Sequence, residues 1–145
     1  MEKLLVSACL LGYNCKYDGG NNALPAEIVE KLRKKYELIP ACPEAEGGLP
    51  TPRKPSERKG GRVVNTEGTD VSAEYRRGAE VALKRAEKNN CRKAVLKERS
   101  PSCGSGRIYD GSFSHSLIEG DGVAAELLKK NGIAVFGESE TEKLL

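Results

Sequence analysis

Tryptophan is absent, histidine and methionine occur once each, and aromatic residues make up only 5% of the 145 positions. A chain with so few rings has little with which to stack successive bases, which argues against broad single-strand binding. The formal charge of +3 is too small for a nucleic-acid coat, although Arg53-Lys54 and Arg58-Lys59 are local basic pairs that can meet an anion. No apolar run approaches the roughly 20 residues that a membrane span needs. The opening Met1-Glu2-Lys3-Leu4-Leu5-Val6 runs into a strand pattern without a signal-peptide hydrophobic region, so the expected compartment is the cytoplasm, with no membrane partner. There the five cysteines stay reduced, and their odd number argues against a complete disulfide framework. Paired Cys-x-x-Cys knuckles are also missing, which disfavours a structural zinc finger. The single histidine, His115, has no partner motif and reads as structural or substrate-contacting, not as a general base.

What is present is an alternation of short apolar runs and helical patterns. Lys3 to Ala8, Glu37 to Ala41, Lys93 to Lys97 and Ile133 to Phe136 read as the main strands. Ile28, Val29, Leu32 and Tyr36 recur at helical spacing behind Pro25. Val71 to Asn89 forms a helix with Ala79, Ala82, Leu83 and Ala86 on its apolar side and Asp70 or Thr69 as its cap, and Val123 to Lys130 ends at Gly132. Arg62 to Asn65 reads as a minor strand, Pro43 to Lys59 as a long functional loop, and Arg107 to Gly122 as a polar stretch. No repeat or linker interrupts the pattern, and the expectation is one domain over residues 1–145. Its class is α/β: a three-layer, mostly parallel sheet of order 2-1-3-4 with helices on both faces, Rossmann-like, whose ligands bind outside the carboxyl ends of the strands.

Cys9, Cys42 and Cys103 all fall at or just past such ends. Any one of them could be a small buried hydrophobe; three sharing one edge suggest ligation. A catalytic zinc with three thiolates is open, and a cysteine nucleophile for a hydrolase is a related alternative. An iron-sulfur cubane fits better, because soft thiolates select it and three protein ligands leave one iron accessible. Cys15, in the Cys9 loop, is either a fourth ligand or a packing residue, whereas Cys91 lies away from the strand ends and reads as structural. Glu44 follows Cys42 closely and is either an acid-base group or a solvated loop carboxylate. Ser100 either turns toward the thiols or only starts the turn at Pro101. Gly104-Ser105-Gly106-Arg107 is either a plain turn or an anion contact, with small residues that expose backbone N–H groups and an arginine that adds a charge-assisted fork. On the second reading Ser102, Gly104, Ser105 and Arg107 bind the substrate, and a monophosphate is processed better than a free base.

Five motifs carry a resemblance through nearly the whole chain: Ser7-Ala8-Cys9-Leu10-Leu11-Gly12, Cys15-Lys16-Tyr17-Asp18-Gly19-Gly20, Cys42-Pro43-Glu44, Gly48-Leu49-Pro50-Thr51-Pro52-Arg53 and Ser100-Pro101-Ser102-Cys103-Gly104. With these the sequence resembles the thiouracil desulfurase (TudS-like) family, formerly a domain of unknown function. The resemblance implies a 4Fe-4S cluster on Cys9, Cys42 and Cys103, with one open iron, and Glu44 and Ser100 as acid-base residues. It implies an enzyme that removes sulfur from thiolated pyrimidines, as 2- or 4-thiouracil or thiouridine nucleotides, and gives the oxo base and hydrogen sulfide. A small thiolated base or nucleotide is the expected partner and thiolated tRNA a further one; an RNA-binding module without turnover is the alternative from another class.

Overall fold

The computed structural model describes residues 1–145. Its centre is a four-stranded, all-parallel sheet of β1 (Glu2–Ser7), β2 (Tyr36–Ala41), β5 (Lys93–Leu96) and β8 (Ala134–Gly137) in the order β2-β1-β5-β8. Counted along the chain, this is the expected 2-1-3-4 order. Leu4, Leu5 and Val6 are all fully buried, as the two covered faces of a parallel sheet require. Side chains alternate across it. Leu5, Ala94 and Leu96 join one apolar layer with Ala82 and Ala86 of α3 (Ser72–Lys88) and Ala125 and Leu128 of α4 (Val123–Lys130). Leu4, Val6 and Val95 join the opposite layer with Leu32 of α1 (Ala26–Lys35), Tyr36 and Leu144.

The register Leu4↔Leu38, Leu5↔Ile39 and Leu5↔Ala94 brings the carboxyl ends of β1, β2 and β5 side by side. Strand order reverses at β1, so those ends flank the crevice in which α/β sheets bind ligands.

Three expectations change in detail. Tyr36, placed on a helix by its spacing, opens β2 and is 1% exposed, because its hydroxyl donates to the Leu144 carbonyl at 3.2 Å and its ring fills the α1 layer. The loop Pro43 to Lys59 carries a one-turn helix α2 (Pro43–Glu46), and its end is strand β3 (Ser56–Lys59), the antiparallel partner of β4 (Arg62–Asn65). The polar stretch after Arg107 holds a second hairpin, β6 (Arg107–Tyr109) with β7 (Leu117–Glu119). These short polar strands have little apolar alternation, so their sequence carried a weak signal.

Candidate functional site

Each candidate thiol leaves the sheet at the same edge. Cys9 lies in the 3-10 turn Ala8–Leu11 directly after β1, Cys42 follows the last residue of β2, and Cys103 sits in the turn after β5. Ser7, 2% exposed, ties the ends of β1 and β5 together: its hydroxyl accepts the Lys97 N–H at 2.9 Å, beside the Cys103 thiol. The thiols are close enough to oppose one another's ionisation. Cys103 is pushed up first by burial and further by Glu44, Cys9 and Cys42, with the Ser7 hydrogen bond working the other way. Cys9 is raised by burial and by Cys42, with Asn22 and Lys97 opposing. Cys15 belongs to the same group: burial, contact with Cys42 and the charges of Cys42 and Cys9 push it up to about 12.

Glu44 is delivered by α2. Proline at the first helical position starts this turn, and its seat on α3 depends on two glycines. A Cβ at Gly78 would stand 1.8 Å from the Pro43 carbonyl oxygen, and one at Gly47 would stand 2.0 Å from that of Glu74. Only bare backbone permits this approach. Glu44 Oε2 accepts the Tyr75 hydroxyl at 3.0 Å and the Arg53 guanidinium at 3.2 Å, while Oε1 faces the Ser100 hydroxyl at 3.4 Å. Ser100 builds the turn weighed for it, and its hydroxyl is directed to Glu44, not to a thiol. Its Oγ accepts the N–H groups of Ser102 and Cys103, each at 3.0 Å, which builds the turn that presents Cys103, and its proton points to Glu44.

The residues proposed for substrate contact divide into an inner and an outer pair. Ser102 is fully buried, and its hydroxyl is the one buried side-chain polar atom without a partner. Gly104 is buried too; its N–H donates to the Ser100 carbonyl at 2.9 Å. Ser105 is half-buried and Arg107 is exposed at the start of β6. The intervening Gly106 N–H donates to the Asp121 carboxylate at 2.8 Å, so a carboxylate already occupies that donor of the expected anion contact.

Elsewhere, Glu46 accepts the Cys42 N–H at 2.8 Å and pairs with Arg85; although burial works against it, these partners hold its carboxyl below the usual range. His115 is exposed and packs edge-on to Tyr109 at 5.8 Å in the β6–β7 hairpin. Cys91 is 6% exposed at the opposite end of β5. The contacts of Arg53 and Tyr75 with Glu44 were not expected. Arg53 stood out only as part of a basic pair that can meet an anion and as a residue of one resembling motif, and Tyr75 had no signal beyond a place on an amphipathic helix.

The donor set suits a sulfur-ligated iron centre. Thiolates are soft donors of the kind that iron-sulfur centres select, and three of the thiols leave the sheet at one end. No group of three or more His, Cys, Asp and Glu side chains is arranged to hold a single metal ion. A cleft of about 800 Å³ opens beside Cys15 and Cys42, with Tyr13 on one wall and Lys84 and Lys88 of α3 on another. No helix is long and apolar enough to cross a membrane.

Comparison with known proteins agrees with this architecture. The chain is 42% identical over 152 aligned positions to the uncharacterized protein YbbK of Bacillus subtilis, an alignment covering 98% of this chain and 99% of that one. Its fold superimposes on a solved 4Fe-4S-dependent thiouracil desulfidase, TudS, with a TM-score of 0.95 and 46% identity, over 99% of this chain and 95% of the other. The family model for 2-thiouracil desulfurase matches residues 4–140. The chain therefore belongs to the 2-thiouracil desulfurase family.

Proposed function

We propose that this protein is an iron-sulfur-dependent, non-redox desulfurase that converts a thiolated pyrimidine and water into the oxo base and hydrogen sulfide. The observation that carries this reading is the meeting of Cys9, Cys42 and Cys103 with a Glu44–Ser100 pair at one sheet edge, in a chain 46% identical to a 4Fe-4S-dependent thiouracil desulfidase. Cys9, Cys42 and Cys103 hold the cluster. When bound, a 4Fe-4S cluster with three protein ligands supplies an open iron, a soft Lewis acid suited to the sulfur of a C=S group.

The chain's own residues manage protons and position. Glu44 Oε1 takes a proton from the attacking water as general base, a role worth about 100-fold or more in rate. The Ser100 hydroxyl, fixed from behind by two backbone N–H groups, donates toward Glu44 and serves proton return to the sulfur. Replacing C=S by C=O with water releases hydrogen sulfide, and no electron is consumed. The thiols fit a reducing compartment, the cytoplasm. Ser102 and Gly104 shape the substrate loop from inside, and Ser105 and Arg107 supply its outer contacts, with Arg107 meeting a phosphate where one is present. Thiolated tRNA would need to reach the same edge with an exposed base.

The test is anaerobic cluster reconstitution followed by assay of 2-thiouracil, 4-thiouracil, thiouridine and its monophosphate for loss of the thione absorbance and release of sulfide. Sulfide without added reductant is expected, with a higher kcat/KM for the monophosphate that falls in Arg107→Ala. Cluster-loaded protein that releases no sulfide from any thione, or whose rate follows added reductant, would overturn the reading. A phosphate preference untouched by Arg107→Ala would move the anion contact elsewhere.

A further inference from the structure

The two oxygens of Glu44 are treated differently. Oε2 receives the Tyr75 hydroxyl at 3.0 Å and Arg53 at 3.2 Å, whereas Oε1 receives only Ser100 at 3.4 Å. The donors to Oε2 cannot easily turn away. The Arg53 side chain is 6% exposed, and its other N–H groups reach the Pro50 carbonyl at 3.2 Å, Thr51 Oγ1 at 3.0 Å and the Cys15 carbonyl at 2.9 Å. Its backbone N–H reaches the Tyr17 carbonyl at 2.7 Å. A planar guanidinium committed on several sides cannot re-aim one N–H without losing others. Tyr75 is 1% exposed, in a small apolar layer with Val63 and Val71.

From this asymmetry we infer that Arg53 and Tyr75 are positioning residues for desulfuration: they pin Oε2 of Glu44, fixing Oε1 against Ser100 as the oxygen that receives the proton. The inference rests on the desulfurase reading. Oε2 already accepts two donors, one of them charged, so proton uptake there would displace them, while Oε1 accepts only the Ser100 hydroxyl, at 3.4 Å. Burial and the nearby Glu44 charge keep the Tyr75 phenol protonated, so it acts as a donor. Arg53 also holds the Cys15 carbonyl with its side chain and the Tyr17 carbonyl with its backbone N–H, so one residue aligns the base with the loop that follows Cys9.

Tyr75→Phe tests this with the ring retained. In cluster-loaded protein, iron per chain and melting temperature should stay at wild-type levels, kcat should fall about ten-fold, and KM should stay within about two-fold. In a Glu44→Gln background the same change should cost nothing further, since Tyr75 acts only through that carboxylate. Arg53→Lys, which keeps the charge and loses the fork, should also lower kcat, with part of its loss persisting in the Glu44→Gln background because its contact with the Cys15 carbonyl is lost as well. An unchanged kcat in Tyr75→Phe, or a full additional loss in the Glu44→Gln background, would overturn the positioning role and leave the desulfurase reading standing. Wild-type turnover by Glu44→Gln itself would remove the catalytic carboxylate and the positioning role together.

Discussion

Cys91 and Cys103 sit at opposite ends of β5 and are alike in exposure and in the layer they join. They are 6% and 5% exposed, they pack in the same apolar layer, and desolvation raises both thiols. Their charged neighbours separate them. Around Cys91 these are Lys3 and Glu2, at the amino end of β1; around Cys103 they are Glu44, Cys9 and Cys42. A buried, poorly ionising cysteine is therefore uninformative by itself, and the end of the strand on which it falls carries the chemical meaning.

The sharpest way to break that comparison is to substitute both. Cys103→Ser should lose bound iron and all turnover, measured by iron analysis and sulfide release; full iron and activity would return Cys103 to the class of Cys91. Glu44→Gln should keep the iron and lose about 100-fold in kcat, separating the chemistry at the edge from the ligands that share it. Gly78→Ala probes the support behind the edge. Displacing α2 from α3 should cost about 2 kcal/mol, seen in thermal unfolding as a melting temperature about 6 °C lower, with weaker iron retention as Cys42 moves with α2. Cys91→Ser should be mildest, costing about 1 kcal/mol or less in denaturant unfolding with iron and rate unchanged. Loss of iron there would make the two ends of β5 equivalent after all.

The sheet was legible because Leu4-Leu5-Val6 and Ala94-Val95-Leu96 are apolar on consecutive positions, which only two covered faces explain. The three thiols were legible for a related reason: strand ends and the switch in strand order place them together before any side chain is seen. What escaped depends on approach between distant segments. Nothing near Gly78 reveals that the Pro43 carbonyl lies against it, and the Tyr75 hydroxyl meets a carboxylate 31 residues away. The β3–β4 and β6–β7 hairpins were hidden for lack of alternation, not distance. Ser105 and Arg107 could be picked out as outer residues of a turn, but Asp121, which takes the Gly106 N–H, lies 15 residues on and gave no warning.

Because every neighbouring pair in the main sheet is parallel, no local hairpin brings any two of the candidate ligands together. The contacts that assemble the site link Glu44 to Ser100, 56 residues apart, and Ser7 to Lys97, 90 residues apart. Such pairings form slowly, since the chain must close long loops before it gains anything from them. Cys103 can join Cys9 only once β5 has docked on β1, so the pocket for the cluster is a late product of folding. On the proposed ligand set, a newly made chain would hold Cys9 and Cys42 in place before Cys103, and mutations that slow closure of the sheet would show first as protein short of iron.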